Sequence, residues 1–120
     1  MHKQHDLIYY KVFSGFENVV AFTSTKQTFD ERNPRFTGDS PEIFENNRIL
    51  LAEKLMIKPD QLVFPRQTHT NCVAEISNIP ENEIKETDAL VTGKTGICLC
   101  VQTADCVPIL LFDNVNNVIA

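Results

Sequence analysis

The chain has 120 residues, 42% of them hydrophobic, and a formal net charge of −5, which suits one soluble domain over 1–120 with room for a core. The acidic balance argues against nucleic acid or an anionic membrane as partner, because phosphates are bound mainly by Lys and Arg. Here the basic residues Lys3, Lys11, Lys26, Arg32, Arg35 and Arg48 are scattered.

Residues 7–13 and 18–23 are rich in β-branched and aromatic side chains, and the break at Ser14-Gly15 predicts a pair of strands. Lys11 interrupts the first stretch, so it is no signal-peptide core. The longest apolar run, 107–112, is far below the roughly 20 residues of a spanning helix. A cytoplasmic location with no membrane partner is expected. Residues 24–40 turn polar, with Asn33-Pro34 and Gly38-Asp39 as turn signals.

A helix is predicted next. Asp39 or Ser40 caps it, Pro41 fits its first turn, Glu42 completes a capping box with Asp39, and Lys58-Pro59-Asp60 ends it. Ile43, Phe44, Leu50, Leu51 and Leu55 share one face. Asn47 projects into that face and Arg48 onto its edge. A polar side chain there costs roughly 1–3 kcal/mol unless hydrogen-bonded, so Asn47 either ties down a loop or faces a ligand pocket with Arg48.

Strands are then expected over 62–64, 72–76, 89–92, 97–102, 108–112 and from Asn117 onward. One helix among many strands predicts an α+β fold with a mixed β-sheet and flanking helices. The stretch 117–120 reads as a strand just starting, an unfinished apolar edge that invites self-association.

Two polar knots interrupt these strands: Arg66-Gln67-Thr68-His69-Thr70, and Gln102-Thr103-Ala104-Asp105-Cys106. Strand ends are where rigid scaffolds present functional groups. His69 is the only histidine beyond residue 5, and Cys106 sits in the matching position of the other knot. Two roles are open to the pair. One is a thiolate nucleophile with His69 as base. The other is a pair of zinc ligands, with Asp105 or another cysteine as a possible third. Cys98 and Cys100, two apart on a strand, and Cys72 read as reduced core thiols.

These pieces resemble the YfiH-type laccase-domain family, also called multicopper polyphenol oxidases. The resemblance rests on Gly38-Asp39, Asn47-Arg48, Gln67-Thr68-His69, Thr87-Asp88-Ala89-Leu90-Val91-Thr92 and Thr103-Ala104-Asp105-Cys106-Val107-Pro108. One departure is Thr23-Ser24-Thr25-Lys26-Gln27, where relatives carry Thr-Arg-x-Gly-Gly. The resemblance implies a domain about twice this length, of which this would be the N-terminal half, with a His-Ala-Gly-Trp-Arg-Gly segment next.

It further implies zinc held by His69, Cys106 and the histidine of that segment, in a purine nucleoside phosphorylase with adenosine deaminase and methylthioadenosine phosphorylase activity. Purine nucleosides and phosphate are then the partners. Asp105 would orient a ligand or transfer a proton, while Arg48 and Gln67 would meet phosphate or substrate. Copper, and the polyphenol oxidase (laccase) activity of the older name, fit less well: three histidines, two of them in the first five residues, are few for several coppers. A metal-free cysteine hydrolase using Cys106 and His69, and a non-enzymatic binding module, remain as alternatives. The 120 residues by themselves are expected to be inactive.

Overall fold

A computed structural model describes residues 7–29 and 34–120, and the chain divides into two compact units, Met1–Arg35 and Phe36–Ala120. In the first unit, β1 (Ile8–Tyr9) pairs antiparallel with β2 (Phe22–Thr23), Ile8 facing Thr23 and Tyr9 facing Phe22. The expected pairing is present, but the strands are shorter than the apolar stretches. Lys11–Phe13 closes into a 3-10 turn instead, with the Ser14 hydroxyl donating to the Lys11 carbonyl. Asn33 of the expected Asn33-Pro34 turn lies outside the described residues.

The second unit opens on a 3-10 turn, Pro41–Ile43, and only then on the helix α1, Glu45–Leu55. The predicted capping box is not made. The Asp39 carboxylate accepts from the Arg66 guanidinium at 3.0 Å instead, and Ser40 makes no side-chain cap. Met56 ends α1 in the left-handed region, with its N–H and that of Ile57 turned back onto the last carbonyls.

The buried side of α1 is Asn47, Leu51 and Ala52. Leu50 and Ile43, placed on that side by the sequence pattern, are exposed. Leu50 lies about 100° round the helix from Leu51, and Ile43 belongs to the separate 3-10 turn. Asn47 is buried as its position in the pattern required, and no buried side-chain nitrogen or oxygen of the described residues lacks a hydrogen-bond partner.

After a 3-10 turn at Pro59–Gln61, the predicted strands are present in shortened form, except that of 108–112 only Phe112 is strand, in a pair of residues that takes in Asp113. β3 (Leu62–Val63) runs parallel to β6 (Cys98–Leu99), and β4 (Val73–Glu75) parallel to β5 (Ala89–Val91). β7 (Phe112–Asp113) and β8 (Val118–Ile119) form an antiparallel hairpin. The result is an α+β arrangement of small parallel and antiparallel pairs, with one α-helix among the described residues rather than several.

Val63, Ile76 and Leu90 form the buried centre, with Ala74, Ile84, Ile97 and Leu99 packed against them. Cys98 and Cys100 point to one side, their sulfurs 3.7 Å apart. The contact with Cys98, then burial, push the Cys100 thiol well above its ordinary range. That keeps it neutral and inert. Cys72 departs from expectation: it precedes β4 and is exposed, while its carbonyl accepts from the Asp88 and Ala89 N–H groups.

The C-terminal strand also departs from expectation. Ile119 exchanges both backbone bonds with Thr92 at 3.0 and 2.9 Å, and Ala120 exchanges both with Leu111. Neighbours therefore hold it on both sides, and 117–120 is not the open edge the sequence suggested. Exposed apolar side chains occur just before it, at Val107, Ile109 and Leu111, alternate residues of a stretch in which Leu111 bonds to Ala120. No helix among the described residues is long and apolar enough to cross a membrane.

Candidate functional site

The first polar knot is a loop strapped along its length to the segment 84–89. The Arg66 N–H donates to the Ile84 carbonyl at 2.8 Å, and the Thr87 N–H donates back to the Arg66 carbonyl at 3.2 Å. One turn further on, three consecutive backbone N–H groups converge on a single carboxylate. Thr68 and Thr70 donate to Oδ1 of Asp88 and His69 to its Oδ2, each at 3.0 Å. The Thr70 hydroxyl adds a fourth bond to Oδ1 at 3.1 Å and itself accepts from the Cys72 N–H.

Around this carboxylate the chain bends at His69, which takes φ = 61°, a conformation L side chains adopt sparingly. The His69 side chain is exposed. The bonds from the 70 and 68 amides lead in holding the Asp88 carboxyl at about 2, below its ordinary 3.8.

That depression fixes the sign of a pH effect. A carboxylate whose folded pKa lies below its unfolded value adds stability above the unfolded pKa, and the addition is lost as pH falls through the folded one. The urea midpoint should therefore decline as pH drops from about 3.8 towards about 2, and Asp88→Asn should flatten that part of the curve. An identical acid limb in both proteins would show that other carboxylates control it.

The second knot is joined to the first by two glutamines. The Gln67 amide reads the Gln102 backbone as a neighbouring strand would, its Nε2 donating to the Gln102 carbonyl at 2.8 Å and its Oε1 accepting from the Gln102 N–H at 2.7 Å. The Gln102 side chain passes the link on, accepting from the Phe36 N–H at 3.2 Å and donating to the Thr37 hydroxyl at 3.1 Å. Beyond Gln102 the chain bends through 104–106, where Asp105 and Cys106 are exposed.

A third cluster surrounds Arg48. Its Nε donates to the Phe36 carbonyl at 2.7 Å and its Nη2 to Glu83 at 2.9 Å, and its guanidinium lies 4.2 and 4.8 Å from the Phe44 and Phe64 ring centres. Burial lowers the Arg48 pKa and Glu83 opposes the shift. Arg66 holds the other oxygen of Glu83 at 3.2 Å, together with the Gly38 carbonyl and Asp39. A cavity of about 830 Å³ opens beside Arg48, Arg66, Glu83 and Thr68.

Of the residues singled out by sequence, the structure links Gln67 to the Cys106 knot and places Arg48 and Asn47 on α1. It leaves His69, Asp105 and Cys106 with exposed side chains. Among the described residues, no three His, Cys, Asp or Glu side chains are grouped to hold a metal ion. Sequence reasoning gave no role to Asp88, Glu83 or Gln102. The sole sequence signal for Asp88 was its place in the Thr-Asp-Ala-Leu-Val-Thr stretch.

Comparison with known proteins places these features in a family. The profile of the multi-copper polyphenol oxidoreductase laccase family matches residues 21–120. A purine nucleoside phosphorylase of Bacteroides thetaiotaomicron is 33% identical over 98% of this chain and 49% of its own length. One from Corynebacterium glutamicum is 42% identical over 69% of this chain and 35% of its own. The adenosine deaminase RL5 of an unknown prokaryotic organism is 39% identical over 87% and 45%. The fold matches the hypothetical protein YfiH of Bacillus licheniformis with a TM-score of 0.79 at 22% identity, over 96% of this chain and 48% of that one. The chain thus spans between about a third and a half of the relatives it matches, and it belongs to the multi-copper polyphenol oxidoreductase laccase family.

Proposed function

We propose that this chain supplies the His69 and Cys106 part of a zinc site in an enzyme of purine nucleosides. The proposed reaction is phosphorolysis, with adenosine deamination as a second activity and methylthioadenosine among the substrates. The observation that carries this reading is the His69 loop, an exposed imidazole on a backbone fixed by Asp88 in a chain whose relatives are named as purine nucleoside phosphorylases and an adenosine deaminase.

Imidazole and thiolate both suit zinc, and catalytic zinc takes three protein ligands. The two donors here would fill two of those positions, and part of the relatives' length lies outside the match. Bound zinc would supply Lewis-acid activation of water. Asp105, next to Cys106, would orient a ligand or carry a proton. Gln67 would keep the two donor-bearing knots in register, since both ends of its amide are spent on Gln102. Arg48, beside the open cavity, would face phosphate or substrate from that side. Copper in place of zinc remains the lesser choice for two such donors.

The test compares the 120-residue chain with a chimera in which the unmatched part of the Bacteroides phosphorylase follows Ala120. Inosine phosphorolysis, adenosine deamination and metal content are measured for each. The chimera should be active with one zinc, and the short chain inactive with weak zinc binding. His69→Ala and Cys106→Ala should each cost the chimera more than the roughly 100-fold lost with a ligand's outer partner. Turnover that survives chelation would favour a metal-free Cys–His nucleophile, and turnover surviving both substitutions would sink the site.

A further inference from the structure

A loop that needs a left-handed residue ordinarily uses glycine, which takes that conformation without a Cβ penalty. The 66–71 loop contains no glycine and puts His69 there. An L-residue persists in such a region only where its surroundings over-determine it, and the surroundings here are one side chain. The Asp88 carboxylate takes the N–H groups of Thr68, His69 and Thr70 together, a backbone concavity closed round an anion. Asp88 is itself anchored, since it immediately precedes β5 and its own N–H is bound to the Cys72 carbonyl at the start of the parallel β4–β5 pair.

We infer that Asp88 is a positioning residue, whose carboxylate fixes the His69 backbone in the left-handed region and so sets the direction in which the imidazole is presented. The value of that direction for metal binding rests on the zinc reading above; the backbone claim does not. Isosteric Asp88→Asn distinguishes the carboxylate from its shape. The asparagine oxygen still accepts from Thr68 and Thr70, but its NH2 group opposes the His69 N–H.

The experiment uses NMR and thermal melts of the 120-residue chain with zinc chloride as the probe. In Asp88→Asn, hydrogen-exchange protection of the His69 amide should fall at least about tenfold while β3 and β6 amides change little. Zinc affinity, read from the His69 imidazole resonances, should fall about 10–100-fold. A purely structural role would leave affinity unchanged in molecules that remain folded.

A second comparison holds even if Asp88→Asn fails to fold. With Asp88 intact, His69→Gly should melt about 4 °C above His69→Ala, since glycine alone escapes the left-handed penalty. In Asp88→Asn that gap should close. Equal melting of the two His69 variants, or an unchanged His69 amide in Asp88→Asn, overturns the assignment. The zinc reading is decided on the chimera, where His69 should respond to zinc; silence there sinks that reading alone, and the amide and melting results still decide the role of Asp88.

Discussion

Arg48→Ala is expected to destabilise the protein by about 3 kcal/mol, the lower end of what removing one partner of a largely buried ion pair costs. The side chains of Arg48 and Glu83 are only 19% and 16% exposed. Truncation frees the Phe36 carbonyl, leaves Glu83 to Arg66 alone and removes the cation from the Phe44 and Phe64 rings. Arg48→Lys should recover little, because one ammonium cannot reproduce the fork that reaches Phe36 and Glu83 together. Arg48→Met keeps the packing of the stem and should fall between them. Urea unfolding of the three variants checks the order. Unchanged midpoints would show that the contacts of Arg48 with Phe36, Glu83 and the two rings contribute no net stability.

The second large effect is expected at the core. Leu90 is 3% exposed and packs with Val63 and Ile76, so Leu90→Ala should cost about 3–4 kcal/mol as lost burial plus a residual cavity. Its position adds a functional consequence. Leu90 lies two residues after Asp88, whose carboxylate takes the Thr68, His69 and Thr70 amides, so loosening β5 should also lower their protection. Hydrogen exchange on Leu90→Ala measures both at once. A loss of stability with those three amides unaffected would show that the loop is held independently of the core.

Much of the fold was legible in the chain. Apolar, β-branched stretches flanked by turn residues located the strands except that of 108–112, which is displaced to Phe112–Asp113, because burial preference is written locally. Asn47 in an apolar face announced a buried amide, and the knots around His69 and Cys106 stood out because polar residues at strand ends have no packing reason to be there. The family motifs then suggested zinc and purine chemistry, and the comparisons show the family.

What the sequence could not supply was partnership. The carboxylate that holds His69 comes from 19 residues away, and the glutamine that bridges the knots bonds across 35. The Asp39 carboxylate looked like a helix cap and became the partner of Arg66, 27 residues away. The last strand looked like an open edge and is paired on both sides. Periodicity and residue type report which groups must be satisfied, since each residue carries its own hydrophobicity and hydrogen-bonding capacity. Which distant group satisfies them depends on how the chain closes on itself, and only the tertiary structure decides that.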